Sequence, residues 1–326
     1  MTAAISAVEL ERFECDGYLV VPDAIDAARW IEPVMQEYET VLERLAAELL
    51  SAGRIGSLHD DLPFDQRFVE ICAETNETNA QHFDFSLPQS NIRHETPMWH
   101  GPAVFEMLRC PELLDLVECF IGPEIFSNPV QHVRIKAPES REPREPVSGA
   151  LKMGATSWHQ DNGVVLPEAD ETQILTVWFP LRRVGVEHGC LQVVPGSHRR
   201  GLLDHCPGGP GGLEVPERVA SREHAVPLPM EPGDVLFFHK LTLHSSLPNL
   251  SDEIRISFDL RYNPIGQPTG RSAFPGFVAR SRRAPETELR DAGEWAQKWR
   301  SAREQLAQVG HDLPFNRWSA TAPVCA

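Results

Sequence analysis

Hydrophobic positions in the first 123 residues recur every three or four residues, which is typical of amphipathic helices. The predicted helices span residues 7–15, 26–52 and 111–120. A buried strand, Tyr18–Val21, is predicted after the first helix, and residues 54–102 show no clear pattern. Pro33 fits the second helix if that helix begins near Trp30, because proline is tolerated in a first turn.

After about residue 125 the pattern changes to short apolar or alternating runs separated by Pro, Gly and Asp, which favours a β-sandwich or a jelly roll. The predicted strands are Val130–Ile135, Ile174–Pro180, Cys190–Val194, Val235–His239, Leu241–His244 and Ile254–Tyr262. A charged helical pattern returns at the C-terminus. We therefore predict a mainly β fold with flanking helices in a single domain, residues 1–326. Its parts are a helical region to about 123, a barrel over about 125–265 and a helical extension over about 284–307.

The charge balance narrows the range of partners. The chain has 30 Lys and Arg against 47 Asp and Glu, a net charge of −17, so nucleic acid and anionic membranes are not expected to bind. No apolar run approaches the roughly 18 residues of a membrane helix. Residues 1–9 lack the features of a secretory signal, and the seven scattered cysteines include no C-x-x-C pair. We expect reduced thiols and a cytoplasmic location.

The first chemical signal is the segment Trp158-His159-Gln160-Asp161. In a strand, residues i and i+2 point to the same face, so His159 and Asp161 can reach one point. An imidazole nitrogen and a carboxylate oxygen together suit a divalent metal such as Fe(II). The triplet alone also fits a histidine beside an acid on a solvated turn.

A second histidine comes from a distant part of the chain. The turn Pro232–Asp234 leads into an apolar run that ends at His244, and His239 on the same run is the alternative metal ligand. Two histidines and one carboxylate occupy one face of an Fe(II) ion and leave three positions open. We therefore predict a mononuclear site with His159, Asp161 and His244 as metal-binding and catalytic residues.

The last predicted strand carries Arg255 and Arg261 on one face. An arginine inside a barrel is costly unless a carboxylate pairs with it. The co-substrate 2-oxoglutarate supplies one: its keto acid end takes two metal positions, O2 takes the third, and its far carboxylate pairs with Arg255. Arg261 either binds an anionic substrate or forms a structural ion pair, the commoner case.

These features resemble the phytanoyl-CoA dioxygenase family of Fe(II)- and 2-oxoglutarate-dependent oxygenases, from Phe13 to about Pro264. The resemblance rests on Phe13–Pro22, Pro111–Pro123, His159–Asp161, Gly189–His198, Pro232–Asp234 and His244. In this family an arginine follows the distal histidine by eleven residues. Arg255 stands at that distance from His244, whereas Leu250 stands at that distance from His239.

The resemblance implies a double-stranded β-helix, a cupin-like jelly-roll barrel. It also implies that Ser246, Gln131 and Trp178 contact the co-substrate. The expected activity is oxidation, by hydroxylation, of an unactivated C–H bond in a small organic molecule, as in secondary-metabolite tailoring, with release of succinate and CO2. The alternatives are an acyl-CoA 2-hydroxylase and a non-catalytic metal-binding jelly roll. Related halogenases replace the carboxylate ligand by a small residue, so Asp161 disfavours halogenation.

Overall fold

The computed structural model describes residues 5–141, 155–208, 212–309 and 317–325. The helices in these ranges are α1 Ala7–Asp16, α2 Ala27–Ser51, α3 Phe64–Thr75, α4 Pro102–Leu108, α5 Pro111–Ile121 and α6 Ala292–Val309. The strands are β1 Tyr18–Val21, β2 Glu124–Ser127, β3 His132–Lys136, β4 Leu175–Pro180, β5 Leu191–Val193, β6 Cys206–Pro207, β7 Leu213–Glu214, β8 Val226–Leu228, β9 Val235–His239, β10 His244–Ser246, β11 Arg255–Pro264 and β12 Phe277–Ser281.

Two antiparallel sheets form the body of the fold. The larger has the order β1-β9-β4-β11-β2-β12, with β3 also paired to β11, and the smaller has the order β10-β5-β8. A layer of apolar side chains lies on the inner faces of both sheets and includes Trp178, Leu191 and Leu236. This is the expected mainly β architecture with flanking helices.

Strand β11 separates the helical layer from the barrel interior. Its alternate residues Phe258 and Tyr262 belong to the large core that the helices cover. The intervening residues Arg255, Ser257 and Arg261 therefore point to the other face, toward the interior between the sheets. All three are buried, so the polar groups of this strand lie inside the molecule.

The helices begin and end where local chemistry favours it. A capping box joins Ser6 and Glu9 at the start of α1, and Gly17, with φ of 79°, ends that helix. Helix α2 begins at Ala27 after the N-cap residue Asp26, and not near Trp30 as predicted. Pro33 therefore lies in the second turn, where it leaves one backbone carbonyl without its helical amide.

Several predicted boundaries were wrong. Residues 241–243 are not in a strand, and the strand begins only at His244. Strands β1 and β12 lie outside the predicted limits of 125–265 but complete the larger sheet. Helix α6 begins at Ala292 and not near 284, because the segment around Pro285 forms a separate 3-10 turn. Helices α3 and α4 occupy the segment 54–102 and its end, where no pattern was evident.

The prediction of reduced thiols was wrong for one pair. Cys206 and Cys325 form a disulfide with their Cα atoms 5.5 Å apart, although 119 residues separate them in sequence. Sequence spacing carries no information about a pairing of that length. Cys15, Cys72, Cys110, Cys119 and Cys190 are free thiols. Within the described ranges, no helix is long and apolar enough to cross a membrane.

Candidate metal centre and co-substrate site

The two sheets bring the predicted ligands together through one backbone bridge. His159 and His244 exchange hydrogen bonds, with N to O distances of 2.9 and 3.0 Å. His159 thus belongs to an isolated bridge and not to a strand, and Asp161 begins a 3-10 turn that ends at Val164. The extended strand from which we predicted this pair is therefore absent. The tight turn after Gln160 aims the carboxylate instead.

The side chains of His159, Asp161 and His244 converge. One potential ligand atom from each lies within 4.8 Å of the others, and no other group of this kind occurs among the described residues. The Nε2 atoms of both histidines lie 3.9 Å from Asp161 Oδ1. This donor set, two imidazoles and one carboxylate, fits Fe(II) with positions left open.

Backbone carbonyls fix the orientation of both imidazoles. His159 Nδ1 lies 2.8 Å from the carbonyl oxygen of Ser157, and His244 Nδ1 lies 3.0 Å from that of Thr242. A carbonyl oxygen only accepts, so each Nδ1 donates, and each neutral ring then carries its lone pair on Nε2. Burial lowers the pKa of His159 well below its usual value, and the neighbouring His244 adds to this. The neutral form that binds metal is thereby favoured.

Asp161 is held through both of its oxygens. Oδ1 accepts a hydrogen bond from Arg261 Nη2, and Oδ2 accepts one from Thr176 Oγ1. Arg261 Nη1 donates to the carbonyl oxygen of Val130 at 2.6 Å, which anchors the guanidinium. Burial raises the pKa of Asp161, but Arg261 and the two histidines lower it by more, so the carboxylate stays ionised. Arg261 thus forms the structural ion pair that was one of its two predicted roles.

Arg255 is buried and lacks partners for part of its guanidinium. It is 2% exposed, and its Nε and Nη1 atoms have no hydrogen-bond partner. The guanidinium lies 5.7 Å from the centre of the Trp178 ring. The pKa of Arg255 is lowered to about 9, mainly by burial and secondly by Arg134, while Asp259 opposes the shift. A buried cation with unsatisfied N–H groups is costly, and the far carboxylate of 2-oxoglutarate is the kind of ligand that satisfies it.

Lys136 was missed by the sequence reasoning. It is 4% exposed, it pairs with Arg255 across β3 and β11, and its Nζ donates to Ser246 Oγ. The same hydroxyl accepts from the backbone N–H of Thr156 at 2.7 Å. Ser246 lies two residues after His244 on β10. Its hydroxyl therefore links the strand that carries a predicted metal ligand to Lys136, a second buried cation. Only the pairing of β3 with β11 identifies Lys136, because no local motif marks it.

The structure does not bring the remaining candidates to the triad. Gln131 is buried, and its side chain contacts Ser127 Oγ at 3.4 Å, which ties it to β2. Its predicted co-substrate contact stays a prediction. His239, the rival ligand, packs against the ring of His198 with centroids 5.3 Å apart and does not belong to the cluster of potential ligands.

Comparison with known proteins identifies the family. The family model for phytanoyl-CoA dioxygenase (PhyH) matches residues 13–257. Peroxisomal phytanoyl-CoA dioxygenase from Homo sapiens is 31% identical over 160 residues, 47% of this chain and 43% of that protein. The 1-deoxypentalenic acid 11-beta-hydroxylase from Streptomyces arenae is 30% identical over 175 residues, 50% of this chain and 58% of that protein.

The solved structures show a similar fold. The non-heme monooxygenase ThoJ in its apo form aligns with a TM-score of 0.57 at 19% identity, over 90% of this chain and 95% of that chain. Its nickel complex aligns with a TM-score of 0.54 at 18% identity, over 90% and 96%. The alignment with the peroxisomal relative spans less than half of that protein's length. The family model nevertheless covers most of this chain, residues 13–257, and the chain therefore belongs to the phytanoyl-CoA dioxygenase family.

Proposed function

We propose that this protein is an Fe(II)- and 2-oxoglutarate-dependent dioxygenase that hydroxylates a C–H bond of a small organic molecule and releases succinate and CO2. One observation carries the proposal: the His159, Asp161 and His244 ligand atoms converge in the same barrel interior as the buried, partly unsatisfied Arg255. A metal-dependent hydrolase or a metal-storage jelly roll has no need of that arginine.

Each residue of the site has a defined task in this reaction. His159, Asp161 and His244 would hold Fe(II), which, when bound, activates O2 against a substrate C–H bond. Arg255 would receive the far carboxylate of 2-oxoglutarate in a bidentate pair and so orient the keto acid end toward the metal. Trp178 would cover the co-substrate and exclude water from it.

The substrate class is open between two kinds of molecule. Similarity to phytanoyl-CoA dioxygenases favours an acyl-CoA, and similarity to a 1-deoxypentalenic acid hydroxylase favours a free acid. We propose a free small molecule, because a net charge of −17 disfavours a ligand with several phosphates. Turnover of panels of CoA esters and of free acids tests this choice, and turnover of CoA esters alone would refute it.

Substitution of the triad tests the function itself. We expect His159→Ala, Asp161→Ala and His244→Ala each to abolish Fe(II) binding and 2-oxoglutarate-dependent O2 uptake. His239→Gln is the matched control, because this histidine lies outside the cluster of potential ligands. Full activity in any triad variant, or equal loss in the control, would contradict the assignment.

A cytoplasmic location is also our proposal. Five cysteines are free thiols, which supports a reducing compartment, whereas the Cys206–Cys325 disulfide is unusual for the cytosol. Thiol alkylation and mass spectrometry of the protein taken directly from cells would report the state of Cys206 and Cys325. A quantitative disulfide would argue against the cytoplasm.

A further inference from the structure

The inner face of the barrel carries a third arginine, Arg134, whose partner Ser257 lies between Arg255 and Arg261 along β11. On β3, Arg134 lies opposite Ser257 of β11, whereas Lys136 lies opposite Arg255. Directly opposed residues of antiparallel strands point to the same face, so Arg134 faces the same interior as Arg255. The side chain of Arg134 is 34% exposed, which leaves it open to a bound molecule.

Arg134 is not held by a close ion pair. Its Nη2 atom lies 3.7 Å from Asp259 Oδ2, beyond hydrogen-bonding distance, and this is its one ion pair among the described residues. Asp259 is shared, because its Oδ1 lies 3.5 Å from Arg261 Nη2. The hydroxyl of Ser257, opposite Arg134, is fully buried and has no hydrogen-bond partner. An unsatisfied buried hydroxyl beside an available guanidinium indicates a missing acceptor.

The co-substrate does not supply that acceptor. A carboxylate accepts about four hydrogen bonds. Arg255 offers two nitrogen atoms, Nε and Nη1, without a partner, and Lys136 lies opposite Arg255 on β3 and donates to Ser246. These groups would satisfy the far carboxylate of 2-oxoglutarate, which would leave Arg134 and Ser257 for a second anion.

We propose that the substrate is an organic acid whose carboxylate binds Arg134 and accepts a hydrogen bond from Ser257 Oγ. This inference rests on the proposed function and adds the substrate class to it. A single guanidinium with Asp259 close by suits a monoanion, because a second negative charge would be repelled by that aspartate. The planar guanidinium also matches the two oxygens of a carboxylate.

The test uses the anaerobic Fe(II)–2-oxoglutarate complex of the full chain. Decanoate, phenylacetate and 1-adamantanecarboxylate would be added, each beside its methyl ester, and binding followed calorimetrically and by the shift of the visible charge-transfer band. We expect at least one acid to bind and its ester not to bind. In Arg134→Gln, affinity for that acid should fall about 10- to 100-fold, with a smaller loss in Ser257→Ala.

Three controls separate this inference from the proposed function. Arg134→Gln should form the charge-transfer band at the same 2-oxoglutarate concentration as the wild type, whereas Arg255→Gln should need more. Arg183→Gln removes the same charge from an exposed position. It should change neither the affinity for the acid nor the 2-oxoglutarate concentration at which the band forms. Equal binding of acids and esters, binding of none of the acids, or parallel loss of 2-oxoglutarate in Arg134→Gln would each overturn the inference alone. Absence of the band from the wild type would overturn the proposed function and this inference with it.

Discussion

At the scale of single residues, Asp161 is constrained from several directions. Its Oδ1 atom faces both histidine Nε2 atoms and also accepts from Arg261, while Oδ2 accepts from Thr176. A carboxylate bonded on both oxygens cannot rotate freely, so it offers the metal a fixed donor direction. The cost of burying this charge is offset by Arg261 before any metal binds.

Thr176→Val tests the importance of that orientation. The substitution keeps the shape of the side chain but removes the hydrogen bond to Asp161 Oδ2. We expect Fe(II) affinity to fall about 10- to 100-fold, as for other partners of metal ligands. The matched control is Thr172→Val, since this equally buried hydroxyl donates to Pro268 O, at 2.8 Å, instead of to a predicted ligand. Isothermal titration calorimetry with Fe(II) measures the affinity of both variants. Equal Fe(II) affinities of the two variants would show that Thr176 does not orient Asp161.

Among the secondary-structure elements, β11 contributes side chains both to the core under the helices and to the barrel interior. One face is apolar and packs under the helices, and the other carries Arg255, Ser257, Asp259 and Arg261 into the barrel. Its neighbours β3 and β4 place Lys136 and Trp178 on that same inner face. A shift of register by one residue would reverse both faces, so the helical core fixes the position of the co-substrate arginine.

Arg255→Gln should weaken 2-oxoglutarate binding strongly. Loss of charge-assisted bonds of about 1.5–3 kcal/mol corresponds to a roughly 10- to 150-fold higher dissociation constant. The measurement is an anaerobic 2-oxoglutarate titration of the Fe(II)-loaded variant, with Fe(II) affinity unchanged as the internal check. An unaltered dissociation constant would mean that another cation, such as Lys136, holds the far carboxylate.

The C-terminal segment, residues 317–325, contacts the 3-10 turn Asp161–Val164, which carries the predicted metal ligand Asp161. Arg317 contacts Asp170 and donates to the carbonyl of Asn162, and Trp318 Nε1 donates to the carbonyl of Gly163 at 2.7 Å. The disulfide of Cys325 with Cys206 fastens the end of this segment. The two residues that follow Asp161 are therefore hydrogen-bonded to the C-terminal segment.

Cys325→Ser should destabilise the oxidised protein by about 2–4 kcal/mol, because the cross-link restricts the unfolded chain. Urea unfolding with and without reductant measures this, and the reductant should affect the wild type alone. Cys119→Ser is the control, since Cys119 is exposed and free. Identical unfolding curves for wild type and Cys325→Ser without reductant would show that the bond does not form or does not stabilise.

At the scale of the whole molecule, charge is distributed unevenly. The chain carries a net charge of −17, yet the inner face contributed by β3 and β11 presents Arg134, Lys136, Arg255 and Arg261. Among the described residues, Asp259 pairs with Arg134, and both Asp161 and Asp259 pair with Arg261. A local cationic interior in an acidic protein favours small anions over polyanionic surfaces.

The sequence predicted what depends on local pattern or on a sharp motif. Helix α1 and strand β9 follow from spacing that one reads along the chain, whereas the convergence of His244 with His159 and Asp161 was expected from the family motif and is formed by a bridge between distant segments. Lys136 and the Cys206–Cys325 bond depend on partners far away in sequence, so no local pattern could show them. The single-domain organisation stays a prediction, and so do the roles of the site residues: His159, Asp161, His244, Arg255, Ser246, Gln131 and Trp178.

An anaerobic titration of the apo-protein with Fe(II) and then with 2-oxoglutarate, followed in the visible range, tests the proposed iron and co-substrate site directly. We expect a weak metal-to-ligand charge-transfer band that appears only after both additions and is absent from His244→Ala. That result would place iron and a chelating keto acid in one site. Iron binding without the band would contradict the account and would favour a hydrolytic or non-catalytic metal site.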